Sequence, residues 1–342
     1  MADYAVEIDI NNVNTSHTQL IDLVGGGRTV LDVGCWTGDL GRALIAQGCR
    51  VSGVELDAGA AAVAARDLER VVVSDLDREP LSRHFEPGTF DAIVLGDVLE
   101  HLMDPVGVLR DATSLLAPGG RFVISIPNVT HGSVRLALLQ GHWDHTETGL
   151  LDRTHIKFFS IAGLRLMTRD AGLVIDDLRG TLADPLAVEV QVNEARLPPA
   201  VVEWVRDQPE ALIYQFVLSA RPVSPGEEVA DAVMIPAARI EDVRLRDEHT
   251  RGAARELAKR REVLTVRDHI VGLEGTASSA EAKSARAAAR AKRLREQLDK
   301  AQQRVRRQAR RIDELQERID GHESLSARRH VARSVARRFG RS

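Results

Sequence analysis

The sequence is poor in cysteine and in aromatic residues. Its 342 residues include only two cysteines, Cys35 and Cys49, and aromatic side chains make up 4% of the chain. A chain of this length can bury a core without disulfides, and two cysteines do not predict a disulfide framework. No window reaches the roughly 18 apolar residues that a membrane-spanning helix needs, and residues 1–20 contain no apolar signal segment. We therefore expect a cytoplasmic protein.

Charge and aromatic residues are distributed unevenly along the chain. Residues 283–342 contain 19 Lys+Arg and 7 Asp+Glu, whereas residues 1–282 contain 27 and 43, and 11 of the 12 aromatic residues precede position 222. This distribution predicts an acidic folded body and a basic extension, and it argues against a specific nucleic-acid surface on the body. We predict a folded domain at 1–221, a Pro/Gly linker at 222–237, a helical region at 238–320 and a basic tail at 321–342.

Strand and helix signals alternate within the predicted domain. β-Branched apolar runs predict seven strands, at 29–33, 50–55, 70–73, 90–95, 121–126, 173–178 and 212–218. Helical patterns lie between them, at 39–47, 57–66, 105–116 and 160–171. This alternation predicts an α/β fold with a doubly wound, mostly parallel seven-stranded sheet covered by helices on both faces. Ligands of such sheets bind at the carboxyl ends of the strands, where we therefore expect the chemistry.

The residues at these strand ends suit a nucleoside-containing cofactor. The first strand runs into a glycine turn at Asp32–Gly38, which precedes a predicted helix. Glycine lets the backbone approach a ligand, and a helix N-terminus presents free N–H groups to a carboxylate. Trp36 stands where the G-x-G-x-x-G motif of nicotinamide enzymes has its second glycine, which disfavours that cofactor. Glu55 and Asp75 end the next two strands, where acids can accept hydrogen bonds from ribose hydroxyls and an adenine amine.

Together with the turn at Pro118–Gly120, these residues resemble the class I S-adenosylmethionine-dependent methyltransferases over residues 25–221. The resemblance implies a Rossmann-like methyltransferase fold and S-adenosyl-L-methionine as the cofactor. It implies that the methionine moiety is held by Asp32 and by the backbone at Gly34, Cys35, Trp36 and Gly38. It implies that the ribose and adenine are held by Glu55, Leu56, Asp75 and Leu76. Asp97 would line the mouth through which the methyl group is transferred.

Four further segments, 54–57, 95–102, 126–131 and 149–159, resemble the methyltransferases of bacterial cell-surface glycan and natural-product sugar clusters. The ubiquinone O-methyltransferases are similar but more distant. This resemblance implies O-methylation of a sugar in a glycan or a glycosylated precursor. Methylation of a quinone- or phenol-like small molecule is the enzymatic alternative. A non-catalytic coiled-coil scaffold that keeps the methyltransferase fold is the other.

A hydroxyl acceptor usually needs a base, and histidine is the natural one near pH 7. His101, His131 and His155 fall in the segments expected at the site. Because His155 follows Asp152 by three residues, the carboxylate can orient the imidazole. We predict His155, His131 and Asp152 as catalytic residues, with structural alternatives for the histidines, such as a helix cap at His131.

The histidine-rich segment 141–155 also raises the question of a metal. His142 and His145 lack the i, i+4 spacing of a helical zinc pair, and no cysteine lies nearby. We therefore predict no metal ion. We expect instead a polar loop that covers the substrate.

The C-terminal third carries a heptad pattern. Apolar residues at 294, 298, 301, 305, 312, 315 and 319 alternate steps of four and three, with Gln308 in the missing slot. Mostly β-branched a positions predict a parallel coiled-coil homodimer. The basic tail after Gly321 predicts contact with an anionic membrane or an acidic protein partner, which would place the protein peripherally at the inner membrane face.

Overall fold

The computed structural model describes residues 8–227, 229–246, 248 and 292–309. The chain divides into two units, Met1–Asp247 and Glu248–Ser342. The first unit contains the sheet and its covering helices. Residues 292–309 of the second unit are helical.

An eight-stranded sheet forms the centre of the first unit, in the order β3-β2-β1-β4-β5-β7-β6-β8. The strands are β1 (Thr29–Val33), β2 (Arg50–Glu55), β3 (Arg70–Val73), β4 (Phe90–Gly96), β5 (Leu116–Pro127), β6 (Leu173–Leu182), β7 (Ile213–Pro222) and β8 (Met234–Pro236). β1 to β5 are mutually parallel, and β7 runs antiparallel between β5 and β6. The predicted doubly wound, mostly parallel sheet is confirmed.

Seven α-helices flank the sheet within residues 8–227, and those that follow the parallel strands match the predicted alternation. They are α1 (Ser16–Val24), α2 (Asp39–Ala46), α3 (Ala58–Ala64), α4 (Pro105–Thr113), α5 (Gly132–Leu139), α6 (Ile161–Asp170) and α7 (Pro199–Arg206). Several begin at a polar residue whose side chain accepts a hydrogen bond from the first turn, as Asp57 does from the Ala60 N–H at 2.8 Å. Such caps place the helix starts at the carboxyl ends of the strands.

Successive residues of the central strands feed two separate cores. Leu31 and Ile93 belong to the cluster on one face of the sheet, whereas their neighbours Val30 and Val94 belong to the cluster on the other. Side chains alternate across a strand, so a continuous apolar run such as that of β4 is buried on both faces. This burial explains why those strands read as unbroken hydrophobic segments.

The sheet has one strand more than the predicted seven. Met234–Pro236, within the segment expected to be a linker, pairs in parallel with Leu178–Gly180 of β6. The contact is close, because a Cβ at Gly180 would lie 3.2 Å from the Met234 sulfur. β8 thereby covers an edge of β6 whose backbone groups would otherwise lack partners. Sequence reasoning missed it because three residues are too short for an alternation signal.

The helix at 292–309 carries part of the predicted heptad. The seam positions Leu294, Leu298, Ala301 and Val305 are its half-buried residues, and the other residues of this segment are exposed. The seam position Gln308 is exposed, and the seam positions beyond 309 and the basic tail at 321–342 lie outside the described residues, so the coiled coil stays a prediction. None of the described helices is long and apolar enough to cross a bilayer.

A tight contact beneath the glycine turn leads to a prediction about Gly53 of β2. A Cβ there would lie 2.6 Å from the Cys35 sulfur and 2.9 Å from Leu68, and all three residues lie in the interior. We expect Gly53→Ala to lower the free energy of unfolding by about 1–3 kcal/mol, since the added methyl overpacks the core. Urea denaturation measures it.

The matched control is Gly163→Ala in α6, where the new Cβ makes an ordinary 3.7 Å contact with the Ser160 hydroxyl. Removing a helical glycine should leave stability unchanged or raise it by up to about 1 kcal/mol. Equal destabilisation by both substitutions would contradict the packing argument.

Candidate active site

The turn between β1 and α2 has a left-handed backbone at three residues. Gly34 and Gly38 have φ of +74° and +83°, and Trp36 between them has φ of +45°. A Cβ at Gly34 would lie 2.6 Å from Val98, so this position also needs glycine for space. Trp36 adopts the conformation that glycine takes freely, at a cost of about 1–2 kcal/mol. The turn therefore keeps the backbone shape of the expected motif despite the missing glycine.

Glu55 at the end of β2 holds this strained turn in place. One of its carboxylate oxygens accepts from the Trp36 N–H at 2.9 Å, and the other accepts from the Asp57 N–H at 2.8 Å. The side chain thus joins the turn after β1 to the turn after β2. Each oxygen keeps a second lone pair, so the predicted acceptance from ribose hydroxyls remains open to it. From the sequence, Glu55 is expected to bind the ribose, with a role in capping the turn as the alternative, and the structure shows the backbone contacts of the second role.

Asp32 on β1 is a buried acid with an unsatisfied oxygen. Its Oδ2 has no hydrogen-bond partner within the described part of the chain. Burial, with the nearby Glu55 carboxylate as a second cause, raises the pKa of Asp32 to about 7. A cationic group is what would satisfy this carboxyl. The unpartnered oxygen of this buried acid therefore fits the ammonium end of the expected cofactor.

Cys35 takes part in the glycine turn through its backbone, and its side chain packs in the core. Its side chain is buried against Gly53, and burial beside Asp32 and Glu55 raises the pKa of the thiol, which stays protonated. The N–H groups of Gly34 and Cys35 both donate to the Val54 carbonyl, at 2.8 and 3.1 Å. These two donors fix the turn, so ligand recognition at this turn falls to other groups.

The predicted adenine contacts lie at the ends of β2 and β3. Leu56 is 67% exposed, an unusual exposure for a leucine that borders a buried strand. Leu76 packs partly on the core, and Asp75 forms a 3.0 Å ion pair with Arg78. An open apolar side chain with a carboxylate at the end of the neighbouring strand suits the face and the edge of an aromatic base.

Asp97 lies just past β4, with a left-handed φ of +54°. Its carboxylate accepts from the Gln215 amide at 2.9 and 3.0 Å and from the Ser125 hydroxyl at 3.0 Å. β7 and β5 thereby aim this acid at the strand ends, as the resemblance implies for the transfer mouth. Gln215 was not a candidate from sequence, because no motif connects it to a residue 118 positions earlier.

His155 is buried with a defined tautomer. Its Nδ1 lies 3.3 Å from the Leu150 carbonyl, an acceptor, so Nδ1 carries the proton and Nε2 has the lone pair. His101 is held in the same way by the Thr154 carbonyl at 3.2 Å, and the two rings meet edge to face at 4.8 Å. Burial is the main cause that lowers the pKa of His155, and the neighbouring His101 lowers it further. The imidazole is therefore neutral near pH 7 and can accept a proton.

Glu100 completes a cluster that sequence reasoning missed. Both oxygens of this buried carboxyl lack hydrogen-bond partners among the described residues, and one lies 3.9 Å from His155 Nε2. Burial, aided by Asp97, raises the pKa of Glu100 well above its usual range. Its position in the segment after β4 was the only sequence signal.

Glu100, His101 and His155 also bear on the metal question. In the part of the chain that the structure describes, they are the one group whose potential ligand atoms all lie within 4.8 Å of one another. In the histidine-rich segment 141–155, His142 pairs with Asp144 at 3.5 Å on the surface, and His145 contacts the Leu151 carbonyl. An activity assay therefore needs a chelator control.

His131 and Asp152 have evident structural contacts. His131 caps α5, with Nδ1 2.8 Å from the Ser133 hydroxyl and Nε2 3.1 Å from the Ala183 carbonyl. Burial lowers its pKa to about 4. Asp152 accepts from the Thr154 N–H and hydroxyl at 2.8 and 2.7 Å, which shapes the turn before His155. These contacts agree with the helix-cap alternative for His131 and with an orienting role for Asp152 through the loop.

An apolar rim flanks His155. Trp143 and Phe158 meet edge to face at 5.3 Å, and the Phe158 ring lies 6.4 Å from that of His155. Both aromatic residues and Ile156 are exposed at 38–47%. Exposed aromatic groups beside a proton acceptor suit an acceptor molecule with an apolar or aromatic part.

Comparison with known proteins places the chain among methyltransferases. A family model described as a methyltransferase domain matches residues 17–178. A ubiquinone biosynthesis O-methyltransferase of Pseudomonas paraeruginosa is 33% identical over 198 residues, which cover 54% of this chain and 84% of the relative. One from Aeromonas salmonicida is 27% identical over 55% of this chain and 82% of that protein. A solved SAM-dependent methyltransferase from Archaeoglobus fulgidus matches with a TM-score of 0.45 and 18% identity, over 62% of this chain and 94% of that one.

The raised pKa of Asp32 leads to a prediction about cofactor binding. An ammonium group favours the ionised carboxylate, so binding should release protons near pH 7, and affinity should rise as the pH rises through about 7. Between pH 6 and 8 the ionised fraction of such a group grows about tenfold. Calorimetry with S-adenosylhomocysteine, in buffers of different ionisation enthalpy, measures both effects.

Asp32→Asn should weaken binding by roughly 1.5–3 kcal/mol and remove this proton release. The matched control, Asp207→Asn at the exposed end of α7, should bind as the wild type does. Proton release that persists in Asp32→Asn would assign it to another group.

Proposed function

The chain belongs to the family of S-adenosylmethionine-dependent methyltransferases, and from this premise we propose that it methylates a hydroxyl of a small, phenol-like molecule. Family membership is shown by the relative that is 33% identical over 84% of its own length. The protein is an enzyme with S-adenosyl-L-methionine as its cofactor. The observation that carries the proposed acceptor class is the neutral His155 imidazole beside an exposed aromatic rim.

The residues at the strand ends divide the work of methyl transfer. The cofactor, when bound, supplies an activated methyl group. Asp32 would pair with its ammonium group, and Glu55 would accept from its ribose hydroxyls while holding the glycine turn. The main contribution of the protein is then to orient the acceptor and exclude water.

We assign the acceptor proton to His155. Its Nε2 has the free lone pair, because Nδ1–H points to the Leu150 carbonyl. Burial raises the pKa of Glu100 well above its usual range, since it disfavours the charged form of this carboxyl. A phenol is more acidic than an alcohol, so an imidazole of lowered pKa suits the phenol better as a base.

A sugar hydroxyl is the second candidate acceptor, and a polar cleft near β7 favours it. The cleft has a volume of about 400 Å³, and its lining includes Asn12, Asn14, Glu189, Tyr214 and Arg246. Amide, carboxylate, phenol and guanidinium groups together offer the donors and acceptors that a polyol needs. Tyr214 immediately precedes Gln215 on β7, and Gln215 holds Asp97.

Methyl incorporation from labelled cofactor into catechol-type phenols and methyl hexosides, followed by mass spectrometry, tests the acceptor class. We expect phenols to be methylated, and His155→Ala to lower kcat by roughly 10²–10⁴-fold with cofactor affinity unchanged. His142→Ala, in the exposed loop, is the matched control and should keep full activity. A parallel assay with a chelator measures whether activity requires a metal ion at Glu100, His101 and His155.

If only the hexosides are methylated, the acceptor is a sugar and the phenol assignment is wrong. Activity that survives in His155→Ala would remove that residue as the base. Loss of cofactor affinity in His155→Ala would assign it a structural role.

We further propose that the chain forms a homodimer through the heptad seam, whose helical part at 292–309 supports it. We expect truncation before Ala280, or Leu298→Ser, to give a monomer by analytical ultracentrifugation. Gln302→Ser, at an exposed position of the same helix, should leave the dimer intact. A monomeric full-length protein would refute the coiled coil. Flotation with anionic liposomes reads out the proposed contact of the basic tail with a membrane surface.

A further inference from the structure

Glu189 lies in the loop between β6 and α7, far in sequence from every motif of the site. One of its carboxylate oxygens accepts from the Leu150 N–H at 2.7 Å, and the other accepts from the Tyr214 hydroxyl at 2.9 Å. Its carboxylate also packs on Gly149, where φ is +94° and an added Cβ would overlap it. The side chain thus grips the loop that carries His155 at a position where only glycine leaves room.

Leu150 connects this grip to the histidine. The residue is 1% exposed, so its peptide groups need partners inside the protein. Its N–H donates to Glu189, and its carbonyl accepts from His155 Nδ1 at 3.3 Å. The two bonds lie on the two peptide groups of one residue. A displacement of Leu150 would therefore change the hydrogen bond that keeps the proton of His155 on Nδ1.

We propose that Glu189 is a positioning residue for methyl transfer: it holds Leu150 so that His155 keeps its proton on Nδ1 and presents Nε2 to the acceptor hydroxyl. This inference rests on the proposed function of His155 as the base. Glu189 itself touches neither the proton nor the methyl group. It acts through backbone geometry.

The charged and titratable surroundings suit this role. Tyr214 faces Glu189, and burial together with that carboxylate raises the pKa of the phenol, so it remains a donor. Arg246 lies in the same cleft wall. On the side of His155 the titratable groups are Glu100, His101, Asp152 and Asp97. Because Tyr214 and Leu150 both donate to Glu189, its carboxylate is held at both oxygens.

Three substitutions at Glu189 distinguish the effect of its hydrogen bonds from the effect of its side-chain volume. Glu189→Ala removes both bonds, and Glu189→Met removes them while keeping the side-chain length. Glu189→Gln keeps a carbonyl oxygen that can accept from the Leu150 N–H, so it should restore most of the function. The matched control is Glu194→Ala, an exposed acid on the same loop.

Two measurements report on the proposal. With a methylated acceptor, we expect Glu189→Ala and Glu189→Met to lower kcat about 10–100-fold, with cofactor affinity and acceptor KM changed less than threefold. Without any acceptor, ¹⁵N NMR of histidine-labelled protein should show His155 as the Nδ1–H tautomer in the wild type. The His155 signal is assigned by its absence in His155→Gln. Both removal variants should shift that signal toward the Nε2–H tautomer, and the control should not.

The outcomes distinguish this inference from the proposed function. If the wild type methylates no tested acceptor, the proposed function fails, while the tautomer measurement still decides the role of Glu189. If His155 is essential but both removal variants keep the wild-type kcat and tautomer, only the positioning role is overturned. If Glu189→Ala fails to fold, Glu189→Met and Glu189→Gln still decide: equal tautomer populations in these two would refute the proposal.

Discussion

The cofactor side of the site depends on the hydrogen bonds that the Glu55 carboxylate accepts from two turns. By accepting from the backbone of Trp36 and of Asp57, this carboxylate joins the turns after the first two strands. Trp36 would otherwise favour another conformation, because a non-glycine residue at positive φ is strained. The two hydrogen bonds of the carboxylate thus offset the strain of a backbone conformation that a glycine would adopt freely. The same group raises the pKa of Asp32 and so links the turn to its charge state.

Burial of ionisable groups is the second theme of the site. Asp32, Glu100 and His155 all lie in the interior at the strand ends, and desolvation disfavours the charged form of each. The raised pKa of Glu100 and the lowered pKa of His155 both disfavour an ion pair between these neighbouring groups. Such a site is ready for a cationic cofactor and for a proton from the acceptor. Perturbed groups of this kind cluster at functional sites because they are costly elsewhere.

The acceptor side is held together by contacts across the chain. Gln215 of β7 fixes Asp97, and Tyr214 beside it donates to Glu189, which grips the loop of His155. β7 therefore supports both Asp97 and the loop that carries His155. The strand runs antiparallel to β5, so its first residues reach the carboxyl ends of the parallel strands, where the chemistry lies.

The sequence by itself determined seven strands of the sheet and the helices that follow its parallel strands, and it predicted the residues of the cofactor half of the site. Apolar runs, glycines and acids at strand ends are local signals, and a parallel sheet brings its strand ends to one edge. Only the tertiary structure decided that β8 pairs with β6, that Glu100 meets His155, and that Gln215 and Glu189 support the site. These contacts join residues that lie 39 to 118 positions apart in the sequence. Spacing along a chain carries no record of such distances, because the packing of the whole sheet sets them.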